Sequence, residues 1–226
     1  LDMASGMDII ENQAGRENPR SVITRYNLAA SGEKNADGEQ ENLFELIRSA
    51  KRSGPAGKAF EYSSINTTLL ALLAETVENK RWSDIYQERV WSKMTVEGDL
   101  QVSIAPDSTP LPHGLVASRL RDMARYGMLY TPSWNKAARE RIVSQAYVRQ
   151  IQAGGRKEIF LRGEIGNHLT TAFFPASPPS ANHWQWDAVW PDGDFYKGGV
   201  WGQGLYVSPA RDLVIAWFST AMSNDL

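Results

Sequence analysis

The chain has 226 residues, 42% hydrophobic and 22% charged, with a net charge of −2 and no cysteine. That length buries a substantial core, as one domain or as two closely joined lobes. The balanced charge without basic blocks argues against nucleic acid and anionic membrane as partners. The missing cysteine excludes a disulfide framework, a thiol nucleophile and thiolate metal ligation, and no apolar run reaches the length that spans a bilayer.

In chain order, residues 11–41 are polar, rich in Asn, Gly and Glu, and read as a long surface excursion. Asn42 to Arg52 reads as a helix with Leu43, Phe44, Leu46 and Ile47 on one face, broken by Ser53-Gly54-Pro55-Ala56-Gly57. Then comes Phe60-Glu61-Tyr62-Ser63-Ser64, directly before a helical stripe of Ile65, Leu69, Leu70, Leu72, Leu73 and Val77. Ser83 is positioned to cap a helix carrying Ile85, Tyr86, Val90 and Trp91, and Ser118 one carrying Leu120, Met123, Ala124 and Met128. Residues 98–117 between them read as loop and short strand, and Ile142 to Ile151 as another helix.

The last part of the chain differs. His183 to Val189, Gly199 to Val207 and Leu213 to Ser219 read as three strands, with turns at Pro191-Asp192-Gly193 and Ser208 to Asp212. Helices first and an antiparallel meander last argue for an α+β fold. Five of the eight tryptophans, Trp184, Trp186, Trp190, Trp201 and Trp217, fall in this part.

Two segments carry the chemistry. Tyr62 sits at a helix mouth, where an anion is favoured. A tyrosine so placed is ordinarily a half-buried aromatic with one polar partner. The functional reading is a proton shuttle, for which a phenol titrating near pH ~10 has to be shifted down by the helix terminus and a nearby ammonium. The second segment is Gly198-Gly199-Val200-Trp201-Gly202-Gln203-Gly204. A strand bare of side chains lets a ligand lie along it, and its N–H groups can form part of an oxyanion hole; the plain alternative is a Gly-rich strand with a bulge. His113, His168 and His183 lack metal-ligand spacing, Glu61 and Asp187 form no evident acid–base pair, and there is no phosphate loop, so neither metal nor cofactor is expected.

These segments resemble the serine β-lactamase-like hydrolases, and within them the class C-related esterases and 6-aminohexanoate-oligomer hydrolases. Tyr62-Ser63-Ser64 with Leu69-Leu70 resembles the family's tyrosine motif, and Tyr62, Ser64, Asn66 and Thr67 its Tyr-x-Ser-x-Asn-Thr version. Ser64 stands where the wider family has a substrate-binding asparagine, which leaves that role open. Trp201-Gly202 is similar to the family's strand variant, followed by Gln203, Tyr206, Val207 and Pro209 in the family's spacing; Lys197-Gly198-Gly199 resembles Lys-Thr-Gly with a poorer spacing. Leu1 to Gly6, the segment from Gly114 to Gly127, and His183 to Trp186 resemble further family elements in the same order.

The resemblance implies a β-lactamase/transpeptidase-like α+β fold spanning 1–226 as a fragment of one domain, with an antiparallel sheet flanked by helices. A helical lobe would occupy about 11–152 and antiparallel strands about 158–220. It implies a serine hydrolase that cleaves a small ester or amide through an acyl-enzyme. Tyr62 would be the general base and acid, and Val200 would give an oxyanion N–H. Ser64, Trp186, Gly199, Trp201 and Gln203 would line the substrate. A periplasmic or secreted location fits the family; the residues leave a cytoplasmic one open.

The family's nucleophile lies on Ser-x-x-Lys. The literal matches here are Ser31-Gly32-Glu33-Lys34, in a polar segment, and Ser133-Trp134-Asn135-Lys136, far along the chain. In family order the motif precedes the Leu1 turn, so the expectation is that the nucleophile lies outside this chain, with the family's N-terminal part missing. The alternative is a non-catalytic ligand- or peptide-binding module of the same fold.

Overall fold

The last strands of the chain build a sheet whose central strands are covered on both faces. The computed structural model describes residues 2–220; Leu1, first residue of the Leu1-to-Gly6 match, lies outside them. The chain divides into two compact units. One is formed by Met3–Ile85 and Gln101–Val116, the other by Asp2, Tyr86–Leu100 and the residues from Ala117.

In the first unit, α1 (Gln13–Glu17) and α2 (Val22–Ser31) replace the expected surface excursion. Each starts at a side-chain cap: Asn12 accepts from the Gly15 N–H and Ser21 from the Thr24 N–H. Gly32, at φ +76°, ends α2 in the left-handed region. Helix α2 buries Ile23, Tyr26 and Ala29 against Leu43, Leu46 and Ile47 of α3 (Leu43–Ser49) and against Ile65. Only one residue in three or four of α2 faces inward, so the sequence looks polar while the face is not. Helix α4 (Ser64–Glu78) follows Tyr62, with Ser63 as its cap and Asn79 in the left-handed region at its end. Helix α5 (Trp82–Arg89) starts one residue before Ser83, and β1 (Gln101–Val102) pairs with β2 (Val116–Ala117).

A buried polar knot ties α2 to α4. Tyr26 Oη lies 2.7 Å from Thr68 Oγ1 and 3.0 Å from His113 Nδ1, and Thr68 Oγ1 lies 3.2 Å from the same nitrogen. Tyr26 and Thr68 have no solvent exposure. Burial pushes the Tyr26 phenol well above its ordinary value and the His113 imidazole down to about 4. His113 is therefore neutral near pH 7 and serves as a hydrogen-bond partner.

In the second unit, α6 (Leu120–Met128), α7 (Gln145–Gln152), α8 (Lys157–Phe160) and α9 (Glu164–His168) precede β3 (Ala181–His183), β4 (Trp186–Val189), β5 (Phe195–Gly199), β6 (Gln203–Ser208) and β7 (Leu213–Trp217). The strands pair antiparallel in sequence order. They begin at Ala181; residues 157–173 hold α8, α9 and a π-helical turn at Leu169–Phe173. Helix α6 has Arg119, not Ser118, at its cap position, and α7 starts after Ser144, which accepts from the Tyr147 N–H. One face of the sheet packs Trp186, Phe195, Leu205 and Val207 against Leu129, Tyr130, Val148 and Ile151. The other gathers Ala188, Trp190 and Tyr196 with Phe174, Tyr206 and Trp217.

Two of the expected strands are hairpins. His183 to Val189 turns at Trp184 and Gln185, at φ +50° and +69°. Two successive left-handed residues match the twist of the flanking strands, a place usually taken by Asn-Gly. Here the Trp184 ring, 5.2 Å edge-on from Tyr147, offsets the backbone cost, and no turn residue advertises it. Gly199 to Val207 likewise turns at Val200–Gly202, with Trp201 at φ +63°.

The polar knot predicts acid sensitivity. His113 binds its proton less readily when folded than its ordinary 6.5 allows, so between pH 6.5 and about 4 the unfolded chain holds the extra proton. The contribution is whole above pH 6.5 and lost as pH falls, up to about 3 kcal/mol in all. Urea unfolding at pH 7 and pH 5 is expected to show a lower midpoint at pH 5, with His113→Asn less pH-dependent over that range. Equal pH dependence in the variant would contradict it.

Candidate active site

The tyrosine segment is pinned from both sides within the first unit. The Glu61 N–H donates to the Met3 carbonyl at 2.7 Å, and the Tyr62 carbonyl accepts from the Glu11 N–H at 3.2 Å. Ser63, fully buried, turns its hydroxyl to the Ile65 N–H at 3.3 Å. The Ser64 N–H donates to Glu11 Oε2 at 2.7 Å. Tyr62 is half-buried, one residue before the extended cap residue Ser63 of the fifteen-residue α4. The helix mouth therefore already holds an anion: the Glu11 carboxylate takes the donor at Ser64. Asn66 of the tyrosine motif directs its amide to Met3 Sδ at 3.7 Å.

Gly6, of the Ser-Gly turn, sits at φ +68°, and a Cβ there would meet the Gly54 carbonyl at 2.5 Å. Its own carbonyl accepts from the Ser53 and Gly54 N–H groups. Only glycine permits this approach, which closes the loop preceding Tyr62.

The Gly-rich segment belongs to the second unit. Gly199 ends β5 and pairs with Gln203, which opens β6; both strands lie inside the sheet. The expected strand edge from Gly199 to Gly204 is thus a hairpin tip, because Val200, Trp201 and Gly202 form the turn. Val200 and Trp201 are each 55% exposed. Gln203 Nε2 donates to the Val200 carbonyl at 3.1 Å and braces the tip from within. Below it, Trp217 Nε1 donates to the Gly202 carbonyl at 2.7 Å, and its ring stacks on Tyr196 at 5.8 Å.

Trp186, expected at the acyl group, fills the core: its ring lies 4.4 Å from Phe195 and 5.2 Å edge-on from Tyr130. It joins the core on the face packed against α6 and α7, although strict alternation from Ala188 would put it on the other face. Lys197 Nζ donates to Asp187 Oδ2 at 2.7 Å, and the Gly198 N–H reaches the same oxygen at 2.8 Å. This carboxylate fixes the Lys197-Gly198 peptide, a function that composition near Asp187 does not reveal.

Neither Ser-x-x-Lys match has the form of a nucleophile. Ser31 is the last residue of α2, its hydroxyl donating back to the Asn27 carbonyl at 3.0 Å, and Gly32 ends the helix before Lys34. Ser133 Oγ donates to Asp212 Oδ2 at 2.6 Å, and its N–H to Asp212 Oδ1 at 3.0 Å. In that tie Asp212 holds its proton less readily than an ordinary carboxylate, chiefly through the Ser133 hydroxyl. Among the described residues no cluster of His, Asp and Glu is arranged to hold a metal ion, and no helix is long and apolar enough to cross a membrane.

Residues 15–225 match the protein-family model described as beta-lactamase. The chain belongs to the β-lactamase family. A curated relative, 6-aminohexanoate-dimer hydrolase of Paenarthrobacter ureafaciens, is 27% identical over 221 residues, covering 97% of this chain and 53% of the relative. A solved structure, a putative 6-aminohexanoate-dimer hydrolase from Bacillus anthracis, superposes with a TM-score of 0.69 at 22% identity, over 100% of this chain and 54% of that one. The chain thus has the β-lactamase-like fold and spans about half the length of the relatives it matches.

The hairpin generates a packing test. A Cβ on Gly204 would fall 2.1 Å from Trp217 Cζ2. Gly204→Ala must therefore displace the indole from Tyr196 and from the Gly202 carbonyl, and is expected to destabilise the fold by about 1–3 kcal/mol. Denaturant unfolding followed by tryptophan fluorescence checks it; an unchanged midpoint would mean that the ring moves freely.

Proposed function

We propose that this chain is part of a serine hydrolase that cleaves an ester or amide through an acyl-enzyme, with the nucleophilic serine and its lysine outside the chain. The observation that carries the reading is the Tyr62 segment, a tyrosine braced just ahead of the mouth of α4. Support also comes from family membership and from the relative named a 6-aminohexanoate-dimer hydrolase. That name favours a linear amide as the substrate class. The engagement of Ser31 and Ser133 in local hydrogen bonds favours a nucleophile elsewhere.

In this reading Tyr62, as the phenolate, takes the proton of the serine hydroxyl as its oxygen attacks the carbonyl. The tetrahedral oxyanion forms, with the Val200 N–H as one donor. The phenol then protonates the leaving amine or alkoxide as the acyl bond breaks. Water attacks the acyl-enzyme with its proton passing to the Tyr62 phenolate, and the phenol returns that proton to the serine oxygen as the acyl–serine bond breaks. Trp201 and Gln203, at the exposed hairpin tip, and Gly199 and Ser64 would contact the acyl chain; Trp186 would support them from the core.

The test is single-turnover acylation of the full-length protein by p-nitrophenyl acetate and a p-nitroanilide of a linear acid. Tyr62→Phe is expected to slow acylation by roughly 10²–10⁴, the range for a lost general base. Wild-type rates in the variant would remove Tyr62 from the chemistry. The second reading, a binding module of the same fold, is favoured by the engaged serines alone. It predicts saturable binding with no acylation burst in the wild-type protein.

A further inference from the structure

We infer that Glu11 is the positioning residue for Tyr62, an inference that rests on the role proposed above for that tyrosine. Glu11 grips the segment twice, both times in the two residues that follow the Tyr62 Cα. Its backbone N–H holds the Tyr62 carbonyl at 3.2 Å, and its carboxylate Oε2 holds the Ser64 N–H at 2.7 Å. Between these contacts lie only the Tyr62–Ser63 and Ser63–Ser64 peptides, and the Ser63 side chain is buried and committed to capping Ile65. The Glu61 N–H is held by Met3 one residue upstream. With the peptide after Tyr62 held by Glu11 and the chain one residue before it held by Met3, Glu11 helps to set the direction of the Tyr62 Cα–Cβ bond.

The side chain suits this task. The Glu11 side chain is 15% exposed, so its hydrogen bond to Ser64 is little diluted by water, and Arg16 Nη2 lies 3.7 Å from the other carboxylate oxygen, balancing the charge. Glu11 arrives from the turn just before Asn12 caps α1. The short helix α1 thereby gains a purpose: its cap fixes the chain direction at Glu11, and Glu11 fixes α4's first turn. The bond is one of reach. A carboxylate one methylene shorter keeps its charge and loses Ser64; an amide of the same length keeps an acceptor oxygen and loses the charge.

Steady-state hydrolysis of p-nitrophenyl acetate by the full-length protein separates these possibilities, with Glu11→Gln, Glu11→Asp and Tyr62→Phe alone and Glu11→Asp combined with Tyr62→Phe. Glu11→Gln is expected to stay within ~3-fold of wild-type kcat, and Glu11→Asp to lose ~10–10²-fold in kcat with KM nearly unchanged, as for a misplaced catalytic group. In the Tyr62→Phe background Glu11→Asp is expected to cost nothing further, because its effect runs through the missing hydroxyl. Wild-type kcat in Glu11→Asp, a Gln variant as slow as the Asp variant, or an undiminished loss in the Tyr62→Phe background would overturn the inference while leaving Tyr62's role intact. Wild-type turnover in Tyr62→Phe alone would instead overturn the proposed role and this inference with it. Thermal unfolding of Glu11→Gln and Glu11→Asp accompanies the rates: equal melting temperatures with unequal kcat support positioning, and a kcat loss that tracks melting overturns it.

Discussion

The central strands of the second unit's sheet, β4 to β6, are covered on both faces, and much else in that unit follows from this constraint. Phe195, Val207 and Ala188 are fully or almost fully buried, although they point to opposite sides. A sheet packed on both faces tolerates no loose side chain near its axis. Gly127 of α6 therefore comes against Val214 of β7, and Gly204 yields its space to the Trp217 ring. The same constraint decides what is left outside. The β5–β6 connection has to leave the sheet to turn, and Val200 and Trp201 are exposed there because the strands beneath them have no room. Trp217 and Gln203 hold that tip by its Gly202 and Val200 carbonyls, so its backbone is fixed while its side chains face solvent.

The first unit solves a different problem with the same means. Tyr62 has to be ordered without being buried, and the segment achieves this through its backbone. Two hydrogen bonds to other peptides, one to the Glu11 carboxylate and one buried cap fix the chain around the ring. Deeper in α4 the Tyr26–Thr68–His113 knot locks the helix to α2. The helix thus holds its N-terminus steady from below while Glu11 holds it from above.

The fold class and the tyrosine segment were legible in the sequence because both rest on local signals. The start of α4 and its capping serine are contiguous, and the glycines of the hairpin announce a special backbone; the stripe itself was read too far, since α4 buries Ile65, Thr68 and Ala71 and leaves Leu73 and Val77 exposed. The turns were not legible in the same way. Trp184-Gln185 and Trp201 adopt left-handed backbone without the usual Gly or Asn, since their cost is offset by ring contacts and by the Gln203 amide. Alternation alone read each hairpin as one strand, and the resemblance put Trp186 at the substrate, whereas its ring packs on Phe195 and Tyr130. Helix α2 looked like loop because its polar face is wide. Glu11 was invisible for a plainer reason: its partner Ser64 is 53 positions away, and nothing in either neighbourhood points to the other.

We propose that this chain supplies the proton-transfer segment of a hydrolase and not its nucleophile. Labelling the full-length protein with a fluorophosphonate, followed by peptide mapping, tests that claim most directly. The claim predicts a single phosphonylated serine outside the 226 residues of this chain, with Ser31 and Ser133 unmodified. An adduct on Ser31, on Ser133 or on any other serine of the chain would contradict it.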